Sequence, residues 1–183
     1  SISHDFDDAK LVADTFGVKF LKVDLTNTYN EMEKEIQLAM GEELSKEATI
    51  NIKPRLRMTT LYGIAQSLGY LVIGTGNLSE RTVGYFTKWG DGANDFNPIA
   101  KLTKKEVYIV AKHLQVPDSI INKKPSADLW NGQTDEAELG IKYEQIDEFI
   151  LTGTSGDTEI DNKIRDKIKK NMHKTNSIPI FEG

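Results

Sequence analysis

The 183-residue sequence contains no cysteine, which excludes disulfides, thiolate zinc sites and a cysteine nucleophile. Long hydrophobic runs are missing too: the longest unbroken apolar stretches have four or five residues. A membrane-spanning helix needs ~18 or more, and the core of a signal peptide is also longer. Nor is there an excess of positive charge. The formal net charge is −5, so nucleic acid held by a basic surface is not an expected partner. Internal repeats, low-complexity tracts and a second composition class are absent. What remains is 38% hydrophobic and 28% charged, ordinary for a globular chain and long enough for one sizeable core. A single domain over residues 1–183 in a cytoplasmic setting is the expectation.

Helical and extended signals alternate along the chain. Phe6, Ala9, Val12, Ala13 and Phe16 recur at helical spacing before Gly17, and Val18 to Leu25 reads as a strand. Thr28 with Glu31 predicts a capping box for a helix carrying Met32, Ile36, Ala39 and Met40, ended by Gly41. Gly41 to Ile50 reads as a polar surface connection. Because Pro54 fits only the first turn of a helix, the next helix is expected to start near Lys53, with Leu61, Ile64, Ala65 and Leu68 inward. A second strand follows at Tyr70 to Thr75. Thr103 and Glu106 predict another capping box, with Val107, Val110, Ala111 and Leu114 as a core face. Tyr143 to Leu151 and Asp157 to Met172 read as further helices, the last with Ile160, Ile164, Ile168 and Met172 on one side. This alternation points to α/β architecture around a parallel sheet.

Past the strand at Tyr70 the apolar signal stops, and Thr75, Asn77, Ser79, Glu80 and Arg81 crowd together. A glycine-punctuated loop from Lys88 to Asp95 follows. Ligands of parallel α/β sheets sit beyond the carboxyl ends of strands, so these residues mark a nucleotide or phosphate site. The pair Gly74 and Gly76 does not complete a dinucleotide-fold fingerprint, since Ser79 takes the place of the third glycine. Lys104 opens a helix, where a cation opposes the macrodipole unless it meets an anion. Lys124 to Gly140 is a long, acidic, turn-rich stretch and is expected to form a mobile cover.

The stretches NIKPRLRM, GTGNLSE, GYFTKWGDGANDFNPIAKLTKKE and KPSADLWNGQTDEAELGIKYEQIDEF, with His173-Lys174 near the end, resemble the ammonia-dependent NAD synthetase family. The resemblance spans essentially the whole chain. It implies a Rossmann-like parallel sheet of the adenine nucleotide alpha hydrolase-like kind, N-terminally incomplete here. The SGGxDS phosphate loop of that family occurs nowhere in these residues. Only two strands are clear, and the sequence opens at Ser1 beside a helical pattern. The first strands are therefore expected to be missing, and the 183 residues alone are expected to be inactive. The resemblance further implies ATP and Mg²⁺, deamido-NAD and ammonia as reactants, and a homodimer. By position it puts Thr75, Lys104 and Ser126 on ATP, and Glu80 on the metal. Arg55, Lys88, Asp95, His173 and Lys174 fall on deamido-NAD. Asp91 is the candidate base that takes a proton from ammonium. The alternative is a non-catalytic remnant that binds dinucleotide or dimerises.

Overall fold

The computed structural model describes residues 3–126, 129 and 132–181. Among them the chain is mainly helical. Helix α1 spans Ser3–Phe16, α2 Thr26–Met40 and α3 Lys46–Leu68, followed by the short α4 at Leu78–Val83. Helix α5 covers Lys104–His113, α6 Asp118–Ile121, α7 Asp135–Leu139, α8 Tyr143–Thr152 and α9 Thr158–Thr175.

The parallel sheet expected from the alternation is not formed among the described residues. Residues 18–25 connect α1 to α2 without a ladder, and Tyr70 to Thr75 contributes one parallel bridge, Ile73 to Phe96. Leu21, Val23, Tyr70, Leu71 and Ile73 all stay exposed. An extended segment becomes a strand only when a neighbour takes its backbone groups, and here Asp95 and Phe96 do so for Val72 to Gly74 alone. The expected helical stripes are also less buried than the reading has them. Only Ala13 of α1 and Ala65 of the α3 stripe are buried, and α2 and α5 bury no residue fully.

Two helix starts also depart from the reading. Helix α2 begins at Thr26, whose N–H bonds the Asp24 carboxylate at 2.9 Å, so Thr28 and Glu31 lie inside it. Helix α3 runs through Pro54 from Ser45, whose hydroxyl caps Ala48 N–H at 3.2 Å. Pro54 is buried there, and Gly90 approaches it so closely that a Cβ would lie 3.0 Å from its ring. Tertiary packing at this point outweighs the missing backbone hydrogen bond.

The core gathers at the C-terminal end. Val83, Leu139, Ile141, Tyr143, Ile146 and Ile164 form it, with Phe149, Ile150, Ile160 and Ile168 packed against it. Three of the expected α9 positions therefore face inward, while Met172 is exposed. Asp157 caps α9 through Glu159 and Ile160 N–H. The last turns of α9 seal the end of α4: Asn171 donates to Val83 O at 2.9 Å, beside Gly84 at φ 68°. A Cβ on Gly84 would meet Asn171 Cβ at 2.2 Å. Gly84→Ala should therefore destabilise the chain by about 1–2 kcal/mol, from left-handed strain and displacement of Asn171. A denaturant midpoint equal to that of the unsubstituted protein would show that α9 does not depend on this contact.

Candidate active site

Two clusters form beyond the Tyr70 to Thr75 segment. The first is built on the starts of α4 and α5. Asn77 caps α4: its carboxamide accepts from Glu80 N–H at 3.0 Å, and Glu80 Oε2 accepts from Asn77 N–H at 3.0 Å. That reciprocal bond turns the Glu80 side chain back toward the segment end, where its Oε1 accepts from Lys104 Nζ at 2.9 Å. Thr103 caps α5 with the predicted partner, Glu106, which accepts from Thr103 N–H at 2.7 Å. Lys104 is thereby fixed as the first residue of α5.

The backbone donors at the start of α5 are already taken. Lys105 N–H donates to Asp147 Oδ2 at 2.9 Å, and Lys104 N–H donates to Ser79 Oγ at 2.9 Å. Ser79 in turn donates to Asp147. Both side chains are buried, so a carboxylate from α8 occupies this helix terminus. What the cluster can offer a phosphate is the Lys104 ammonium, not the helix start. Thr75 is exposed just before Asn77, and Ser126 is exposed in the irregular stretch ahead of α7.

The second cluster surrounds the turn from Thr87 to Gly92. Asp91 accepts from Thr87 N–H at 3.0 Å, and Thr87 Oγ1 donates to Asn51 at 2.7 Å. Burial pushes the Asp91 carboxyl above its ordinary range, and the Glu80 charge adds to this, so the two clusters are electrostatic neighbours. Trp89 is exposed with φ 63°, and the Lys88 ammonium lies 5.4 Å from its ring centroid. Arg55 donates to Lys88 O at 3.4 Å, and Lys88 Nζ donates to His173 O. Lys174 is half-buried and donates to Gly84 O at 2.7 Å and Phe86 O at 2.8 Å. Burial lowers its pKa while Asp91 opposes the shift.

Arg55, Lys88, Asp91, His173 and Lys174 are thus brought together, with Lys174 serving backbone carbonyls. Asp95 is turned away from them. Its carboxylate accepts from Val72 N–H at 2.7 Å and from Tyr62 OH at 3.3 Å, so it braces the bridge.

Several residues with a place in this site had no signal in the sequence reading. Tyr143 stands between the first cluster and α7, its hydroxyl 2.9 Å from Asp135 Oδ2 and 3.4 Å from Glu80 Oε1. Tyr85 bridges Asp135 at 3.3 Å and Glu138 at 2.7 Å. Burial pushes the Asp135 carboxyl up and both phenols further up, with neighbouring carboxylates contributing. Gln133 donates to Glu138 at 2.7 Å and accepts from Leu129 N–H at 2.8 Å, while Lys53 Nζ donates to Leu129 O at 2.8 Å. Within the segment expected to be a mobile cover, residues 133–139 are therefore anchored. Ala127, Asp128, Trp130 and Asn131 of that segment lie outside the described residues.

No group of three or more His, Cys, Asp or Glu suited to a metal occurs among the described residues. A magnesium ion carried on phosphates needs only one or two protein carboxylates. Glu80 fits that minimal role through Oε1, provided Lys104 transfers to the phosphates.

Known proteins resemble this chain along nearly its whole length. The NAD synthase family matches residues 1–178. The NH(3)-dependent NAD(+) synthetase of Carboxydothermus hydrogenoformans is 47% identical over 170 residues, covering 93% of this chain and 70% of its own length. That of Finegoldia magna is 45% identical over 179 residues, covering 97% and 71%. Among solved structures, NMN synthetase from Francisella tularensis superposes with a TM-score of 0.92 at 34% identity, over 98% of this chain and 74% of that one. The NH3-dependent NAD synthetase from Campylobacter jejuni, in complex with nitrate, gives a TM-score of 0.77 at 25% identity, over 100% and 74%. With sequence and fold alike across nearly its whole length, this chain belongs to the NAD synthase family.

Proposed function

We propose that the protein amidates deamido-NAD to NAD, using ATP and ammonia and releasing AMP and pyrophosphate. The observation that carries this reading is the Lys104–Glu80 pair, which joins a cation for phosphates to a carboxylate for their metal at 2.9 Å. A carboxylate does not yield oxide to ammonia, so activation comes first. The nicotinate carboxylate attacks the α-phosphorus of ATP, the α–β phosphoanhydride bond breaks, and pyrophosphate departs. Lys104 holds negative charge as it accumulates on the departing group, with Thr75 and Ser126 on the nucleotide. Mg²⁺, when bound beside Glu80, supplies further charge neutralisation. Arg55, Lys88, Asp95, His173 and Lys174 hold the dinucleotide, Asp95 and Lys174 through the backbone that they brace. Ammonia then attacks the anhydride carbonyl and AMP leaves. Asp91 takes the proton from ammonium, a role suited by the burial that raises its basicity.

A single domain with a Rossmann-like parallel sheet, homodimeric and cytoplasmic, belongs to the same proposal. Its support is the family membership. The likeness to an NMN synthetase structure favours a second reading, in which the mononucleotide is amidated instead. Assays with ¹⁵N-ammonium, ATP and each deamido substrate, in a form that carries a phosphate loop, separate the two. Labelled NAD formed with equimolar AMP and pyrophosphate is the expected outcome. Labelled NMN alone would select the second reading, and ADP with inorganic phosphate would exclude both.

A further inference from the structure

One side chain stands between the Lys104–Glu80 pair and the acidic segment. The Tyr143 ring centroid lies 4.6 Å from Lys104 Nζ, close enough for a cation–π contact. Its hydroxyl has two acceptors in reach, Asp135 Oδ2 at 2.9 Å and Glu80 Oε1 at 3.4 Å. A phenol has one proton to give, and the shorter contact takes it. Asp135, not Glu80, therefore holds the hydroxyl. Asp135 is itself buried at the start of α7, and the Tyr85 hydroxyl, 3.3 Å from its other oxygen, gives its proton to Glu138 at 2.7 Å by the same rule.

Lysine carries its charge on a flexible four-carbon stem, so its aim depends on what flanks it. Lys104 is flanked by the Glu80 carboxylate and the Tyr143 face. An anion that draws the ammonium away from Glu80 leaves the aromatic face as the remaining guide. We infer that Asp135 is a positioning residue for Lys104: by holding the Tyr143 phenol it fixes the ring that directs the ammonium to a nucleotide's phosphates. Docking of α7 and the aim of the lysine then become one event. This rests on the reading that Lys104 meets ATP, and it adds a residue that touches neither ATP nor lysine.

Calorimetric titration of the 183-residue protein with ATP, in the presence of a chelator, tests the inference. Lys104→Ala should weaken binding about tenfold, the scale of one charge-assisted contact. Asp135→Ala and Tyr143→Phe should each weaken it about threefold to tenfold, with no further loss when combined. Asp135→Asn keeps an oxygen that accepts the phenol proton, so its affinity should stay within about twofold. The deciding variant is Asp135→Ala in the Lys104→Ala background. Loss acting through the lysine disappears there, whereas a purely structural loss persists undiminished. A persistent loss overturns the positioning role and leaves the ATP reading intact. Unaltered affinity in Lys104→Ala removes that reading and the inference with it.

Discussion

Glu80→Gln should lower the rate of pyrophosphate release by about 10²–10³-fold, the usual scale for losing one preorganised electrostatic group. The substitution is informative because it leaves the local fold in place. Glutamine serves a capping box as well as glutamate does, so the bond from Asn77 N–H to Oε2, now 3.0 Å, has a replacement and α4 stays capped. What disappears is charge. With the amide oxygen on Asn77, Lys104 faces the amide nitrogen and loses both its acceptor and its counter-ion, at a cost of about 1 kcal/mol in stability. The metal loses its carboxylate, so the concentration of Mg²⁺ needed for half-maximal rate should rise. Pyrophosphate release measured across a magnesium series, in a form that carries a phosphate loop, gives the answer. An unchanged magnesium dependence would reduce Glu80 to half of a structural ion pair.

Asp91→Asn should divide the reaction at its middle. Adenylation and pyrophosphate release should survive, while amidation falls by about 10²–10⁴-fold, the range of a lost general base. Higher pH should restore part of it by supplying free ammonia. Asparagine retains an oxygen for Thr87 N–H, a bond of 3.0 Å in the structure, so the turn should persist. Stability provides an independent check. Burial holds the Asp91 carboxyl above its ordinary range, so the folded state holds that proton more tightly than the unfolded chain. The resulting stabilisation is complete at acid pH, below the unfolded pKa, and is lost as pH rises through the raised native value. Ionised Asp91 is then a net cost at neutral pH, and Asp91→Asn should gain stability relative to the parent as pH climbs from acid to neutral. Parallel loss of both half-reactions, without rescue by pH, would confine Asp91 to ordering the turn.

The parts of this site legible in the sequence were those whose partners lie close in the chain. Thr103 and Glu106 meet as their spacing requires, and Gly41 ends α2 in the left-handed conformation expected of it. The same rule failed at Thr28 and Glu31 because Asp24, slightly upstream, captures the first backbone donor. Pro54 misled for a different reason: its ring packs against Gly90, 36 positions further on, and no local pattern records that. Distance also hid Asp147 and Tyr143. Nothing around Asp147 announces that it completes a helix 43 residues earlier, and Tyr143 read only as the first residue of a helix. Among the described residues the parallel sheet stays unformed for a related reason, since hydrophobic runs specify strands only when neighbouring backbone is present to pair with them.

Asp147 at the start of α5 has a consequence for how the site empties. A helix terminus with open amides would retain any small anion, including the pyrophosphate that the reaction leaves behind. Here those amides bond Asp147 and Ser79 in the protein's own interior, and the Lys104 ammonium beside them has Glu80 as a resident rival. With Lys104 on the phosphates as proposed, a departing anion would be replaced there by a carboxylate already within reach, without waiting for solvent ions. In that role, affinity for the leaving product would be limited by competition from inside the fold, and turnover would be spared a tightly held end product.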